Sequence, residues 1–235
     1  MHKRTLAVAA LTLVVAACAE GPVSPIPTPG ITTAVASNVI QVPRDYATIQ
    51  EAVDNAAAGN EILVRGAHDA LVFISTAGIR VRAVAGASLV GSFIILADNV
   101  SIDGFRIESA YHNQGLQTFQ VSGVEVKNNT FTSDGGPGDL RAIWLNECRN
   151  CSVKNNTVQP FPSDGISVIG DATGTEVRNN TVTGSAFGIY MWPGSTGAAV
   201  NNNAVSGYSG CGIVDASGTG THTFKNNRTG CTAGF

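Results

Sequence analysis

Charge is scarce in this chain. Asp, Glu, Lys and Arg make up 13% of its residues, and the formal net charge is −3. With no basic surface to displace condensed counterions, nucleic acid is excluded as a partner. Aromatic residues are also few, at 6%. The apolar run from Thr5 to Val15 is too short to span a bilayer as a mature helix. Only one Cys-x-x-Cys occurs, Cys148-Arg-Asn-Cys151. It has neither the second pair that a zinc knuckle needs nor the βαβ surroundings of a redox motif. Disorder is excluded from the other side, because net charge is small and β-branched residues are abundant.

What the chain has in quantity is Gly, 27 residues, with Val, Ile, Thr and Asn at short intervals. That mixture suits many short strands joined by tight turns. The order of these residues repeats. VKNNTF (Val126–Phe131) returns as VKNNTV (Val153–Val158) and VRNNTV (Val177–Val182), and more loosely as VNNNAV from Val200 and FKNNRT from Phe224. A second motif runs with it: AIWL around Ile143, GISV around Ile166, GIYM around Ile189 and GIVD around Ile213. A period near two dozen residues built from β-type segments signals a solenoid. The Leu ladder of leucine-rich repeats, which share such a period, is missing.

Alternation predicts three short strands per coil, with Ile and Val of the GIxV segment and the valines flanking each Asn pair pointing inward. The Asn pair marks a corner, because Asn enters left-handed backbone conformations more readily than most residues. Stacked coil on coil, the amides can bond to one another and to the next rung. Asn128-Asn129-Thr130 also spells a glycosylation acceptor, a reading that ranks below the corner. Thr48 and Glu51 form a capping box. They open a helix with an apolar stripe of Ile49, Ala52, Val53 and Ala56, expected to stop at Gly59 and to plug the first rung.

These features resemble the right-handed parallel β-helix, pectate-lyase-like family over about residues 38 to 235, a length suited to one domain. QVPRDYATIQEAVDNAAAGNEILVRG (Gln41–Gly66) is similar to the segment with which such domains begin, and DNVSIDGFRI (Asp98–Ile107) resembles one of their rungs. The resemblance implies an all-β solenoid with an N-terminal capping α-helix, and about seven or eight coils.

Upstream, His2-Lys3-Arg4, the apolar run and Val15-Ala16-Ala17-Cys18 resemble a bacterial lipoprotein signal. Residues 1–17 are therefore expected to be removed and Cys18 lipidated. Residues 18–37, with Pro22, Pro25, Pro27 and Pro29, would form an extended tether. The implied location is the cell envelope, lipid-anchored on the periplasmic or surface side of the outer membrane. The four remaining cysteines suggest disulfides in an exported protein. We take 148–151 and 211–231 as the working pairing among the three possible.

For function, the resemblance directs attention to the face carrying the GIxV strand. Alternation turns outward Gln117, then Trp144 and Asn146, Ser167 and Ile169, and Tyr190 and Trp192. Trp144 and Tyr190 share a column two rungs apart. Rings on a flat β face can stack against sugar, or they can stack merely to stabilise the sheet. Beside them lie Asp134, Asp139, Arg141 and Asp164, with Arg141 and Asp164 at the same repeat position on adjacent rungs. They form either a lateral salt bridge among turn-forming Asp residues or chemistry. In the chemical version, Asp134, Asp139 and Asp164 bind Ca²⁺ while Arg141 handles a proton, as the resemblance to pectate lyases implies, or paired carboxylates hydrolyse a glycosidic bond. His68 and His222 stand alone, and Asp215 falls on an inward position. The expectation is a monomeric, envelope-anchored solenoid that binds polysaccharide, with or without processing it. A lyase or glycosidase and a purely structural solenoid are the alternatives.

Overall fold

The computed structural model describes residues 38–84, 86–109, 114–136 and 140–234. Cys18 and the remainder of the tether, Tyr111, His112 and Asp139 lie outside the described residues. The chain winds into a parallel β-helix. One face is a nine-stranded sheet that starts at Val39–Val42 and ends at Thr223–Lys225, each strand taken from one rung. The other strands form a thirteen-stranded sheet. It counts as one sheet because Ser88–Ile95 is long enough to turn the corner: its first half pairs with Arg106–Ser109 and its second with Leu116–Ser122. From that rung onward the expected three strands per coil are present. Earlier, Ala67–Ile74 and Ser88–Ile95 each fuse two of the three into one eight-residue strand.

The core is a set of axial stacks of like side chains. On the nine-stranded face Ile62, Val81, Ile102, Val126, Val153, Val177 and Val200 lie in consecutive register, all fully buried. Leu116, Ile143, Ile166, Ile189 and Ile213 form a second stack. Burying each such side chain is worth about 1.5–3 kcal/mol. Asp215 follows Met191 in an inward column and is buried, its carboxylate accepting the Ser217 N–H at 3.0 Å.

The Asn pairs divide their labour. The first member takes a positive φ of 53–57° at Asn128, Asn155, Asn179, Asn202 and Asn226, turning the corner. The second member points inward and is almost fully buried at Asn129, Asn156, Asn180 and Asn203. Asn156 Nδ2 donates to Val126 O at 2.9 Å and to Asn180 Oδ1 at 3.0 Å, and its backbone N–H bonds the same Asn180 oxygen. The pattern repeats at Asn180 and Asn203. At the other end Phe105 N–H donates to Asn129 Oδ1, so a peptide closes the ladder where the Asn column begins. Buried amides of this kind are tolerated because their hydrogen-bonding groups find partners.

The helix is shorter than the sequence suggests. It spans Ile49–Asp54 with the Thr48–Glu51 capping box in place. Asn55, rather than Gly59, ends it, since both its backbone N–H and its side-chain amide bond Glu51 O. Ile49, Ala52 and Val53 are buried against the first rung. Gln50 extends this cover sideways. Its amide accepts from Phe73 N–H at 2.7 Å and donates to Phe73 O at 3.0 Å, occupying backbone groups that a neighbouring strand would otherwise take. Disulfides join Cys148 to Cys151 and Cys211 to Cys231. The latter ties the last rungs together.

Candidate functional site

Strand register places the outward residues in two axial columns. Phe73, Ile94, Gln117, Trp144, Ser167, Tyr190 and Val214 form the first. One step beyond the intervening inward residue, Phe119, Asn146 and Ile169 form the second. Continuing that register by one residue adds Leu96 and Trp192, whose N–H groups bond Ile74 O and Val168 O. Seven rungs at about 4.8 Å each give a stripe of about 29 Å. Phe73 and Leu96 are among the most exposed large apolar side chains described, at 46% and 47%. Phe119, Trp144, Tyr190 and Trp192 are half-buried.

The rings touch in series. Phe119 meets Trp144 edge-on at 6.1 Å, Tyr190 meets Trp192 at 5.4 Å, and Phe187 lies 5.1 Å from Tyr190. The gap between the two tryptophans is filled by Arg141. Its guanidinium carbon lies 5.2 Å from the Trp144 ring centre and 4.9 Å from that of Trp192, within cation–π range of both. Asp164 sits against the same guanidinium, with Arg141 Nε 3.2 Å from Asp164 Oδ2. That oxygen also receives the Ser167 hydroxyl and, at 3.3 Å, the Trp192 indole N–H. Arg141 and Asp164 are only 4% and 2% exposed. The buried pair and the two tryptophans are thus one unit, in which the charges neutralise each other and the rings cover them. Ser167 lies in the outward column but is fully buried, because its hydroxyl is drawn down onto Asp164.

The remaining expected site residues separate from this unit in different ways. Asp134 is exposed and its carboxylate accepts the Gly136 N–H at 3.0 Å, holding its own turn. Among the described residues no three His, Cys, Asp or Glu side chains come together as a metal site. Gln117 and Asn146 flank Trp144 in the stripe, and neither side-chain amide is hydrogen-bonded to another of the described residues. Trp144 Nε1 is buried without a hydrogen-bond acceptor. At the stripe's margin Arg149 and Asp171 pair at 2.7 Å. The Thr173 hydroxyl, then Arg149, hold the Asp171 carboxyl well below the usual carboxylate range.

Two features were not singled out in the sequence. Phe73, Ile94 and Leu96 extend the stripe through the early rungs, where no Asn pair announces the period. Phe119 and Phe187 complete the aromatic series. His222, expected to stand alone, is instead a corner piece: its Nδ1 accepts the Ala198 N–H at 3.1 Å, which leaves Nε2 protonated and donating to Ser195 Oγ. It is therefore not a base for the Ser195 hydroxyl, which itself donates to Trp192 O.

On the nine-stranded face a second, polar cleft of about 310 Å³ is lined by Glu61, Arg80, Arg82, Ser101, Asp103 and Glu125 among others. Its charges are largely spent on one another. Arg82 lies 2.7 Å from Glu61, and Glu125 is held by both Lys127 and Lys154.

No curated protein sequence matches the chain. Among solved structures, that of pectate lyase Pel9A superposes with a TM-score of 0.58 at 14% identity, covering 77% of this chain and 57% of that one. The likeness is one of fold, and this chain spans little more than half of the neighbour's length. The family model described as right handed beta helix region matches residues 48–205 and 92–234. With nearly the whole solenoid matched, and parallel rungs stacked in register beneath it, the chain belongs to the right-handed β-helix family.

Proposed function

We propose that the protein binds polysaccharide along the outward stripe, with Trp144, Tyr190 and Trp192 as its central contacts, and that it does so without cleaving the chain. The observation that carries this reading is the two clusters of half-buried rings on one sheet face, Phe119 with Trp144 and Phe187 with Tyr190 and Trp192, joined by Arg141 and flanked by the amides of Gln117 and Asn146. Aromatic faces meet the C–H faces of sugars, and amides serve both hydroxyl donors and acceptors. The fold shared with a pectate lyase, an enzyme of polysaccharide, adds support. Binding is favoured over turnover because Arg141 and Asp164 are buried and committed to each other, and Asp134 is committed to its own turn. We further propose that Cys18 carries a lipid and that the Pro-rich tether presents the solenoid from an envelope membrane, as a monomer.

Migration of the mature domain through gels containing different polysaccharides tests the binding. Retardation in at least one gel, abolished by Trp144→Ala, is expected, with no new reducing or unsaturated ends in the retained polysaccharide. Unretarded migration in every gel would overturn the reading. Cys18→Ser should move the full chain from the membrane fraction to the soluble one.

A further inference from the structure

The stripe carries a specificity that its rings alone do not state. Every side chain in its two columns is uncharged, over seven rungs in the first and five in the second. Arg141, the cation between the two tryptophans, is buried beneath their indoles and neutralised by Asp164 at 3.2 Å. The ion pair at the margin, Arg149 with Asp171, is likewise satisfied internally. An acidic polysaccharide laid along this face would lose part of the hydration of its carboxylates and meet no uncommitted cation among the described residues in return, a net cost.

The polar groups that are uncommitted are neutral. They flank one ring: the Gln117 amide lies beside Trp144 across the sheet, and the Asn146 amide two residues along the same strand. Each amide has donor and acceptor capacity. That set matches sugar hydroxyls placed on a ring whose C–H face stacks.

We infer that the ligand is a neutral polysaccharide, and that Gln117, Trp144 and Asn146 form its hydroxyl-reading subsite. The inference rests on the binding reading above and narrows it to one substrate class. Calorimetric titration of the mature domain with a neutral xylan, a neutral β-glucan and polygalacturonate, each at low and high salt, tests it. Binding to a neutral glycan with an affinity unmoved by salt is expected. So is a loss of at least tenfold in Gln117→Ala/Asn146→Ala, and a comparable loss in Trp144→Ala, which removes the stacking ring. Unchanged thermal unfolding of these variants would show that the fold is intact. Binding confined to polygalacturonate, or abolished by salt, would overturn the neutral assignment while leaving polysaccharide binding standing. Unaltered affinity in both variants would overturn the subsite. Binding to none of the three, with no retardation in any polysaccharide gel, would overturn the binding reading itself.

Discussion

Arg141 and Asp164, on adjacent rungs, meet at 3.2 Å beneath the rings of Trp144 and Trp192. A buried pair of this kind contributes little beyond what a well-packed apolar pair would, but breaking it leaves one charge uncompensated. Asp164→Ala should therefore destabilise the fold by about 3–5 kcal/mol. The double replacement Arg141→Met with Asp164→Leu should cost much less than the two single changes summed. Urea midpoints of the four proteins measure the coupling.

The Asn ladder makes a sharper prediction. Asn180→Ala would strand Asn156 N–H and Val153 O in the interior, while Asn203 Oδ1 keeps the backbone N–H of residue 180. At about 1–3 kcal/mol for each orphaned group, the loss should reach at least about 2 kcal/mol. The neighbouring Asn179 sits exposed at φ 55°. Asn179→Ala should cost about 1–2 kcal/mol through left-handed strain, and Asn179→Gly close to nothing. Equal losses at positions 179 and 180, read by thermal or urea unfolding, would contradict the division of labour within each pair.

This ladder is also the part of the fold most legible in the sequence. Asn128 and its successors recur at one period because each rung needs both a left-handed corner and an inward amide, and Asn supplies either. The earlier rungs were harder to see. Gly66, Gly86 and Gly104 have positive φ at their corners, and Ala67–Ile74 and Ser88–Ile95 run straight through a second corner, so the short-strand pattern is lost there. Alternation predicted that Trp144, Tyr190 and Trp192 face outward, since each lies in a repeating rung. It did not reveal that the loop residue Arg141 would fold between the two indoles, because a contact across rungs made by a side chain leaves no period. Nor did it reveal that Ser167, outward by parity, would be buried through its bond to Asp164.

Acid should loosen the nine-stranded face. Burial alone would raise the Glu125 carboxyl, but hydrogen bonds from Lys127 and Lys154 outweigh it and bring it from 4.5 down to about 2. A carboxyl lowered by folding contributes stability that is fully present above its unfolded value and is lost as pH falls toward the folded one. The window is thus about pH 4.5 to 2, and the contribution at most about 3 kcal/mol before solvent screening reduces it. Glu125→Gln should be less stable than the parent at pH 7 and equal to it near pH 2. Urea midpoints across that range check the sign.

Reduction of the Cys211–Cys231 bond should act at the end of the solenoid. The bridge closes a loop of 20 residues in sequence separation, worth about 3 kcal/mol in the chain-entropy account. Cys211→Ser/Cys231→Ser should speed amide exchange in Cys211–Asp215 and Thr223–Lys225 more than in Ser152–Lys154. Uniform acceleration along the chain would show that the bond stabilises the whole solenoid instead.

The central claim is that the outward stripe is where polysaccharide lies. Hydroxyl-radical footprinting with a saturating glycan, chosen as one that retards the domain in a gel, addresses it residue by residue. The account predicts reduced oxidation of Trp144, Tyr190, Trp192 and Phe119, with Tyr46 and Phe224 unchanged. Protection that instead falls around Arg80, Arg82 and Lys127 on the nine-stranded face, with the tryptophans oxidised as in the free protein, would contradict it.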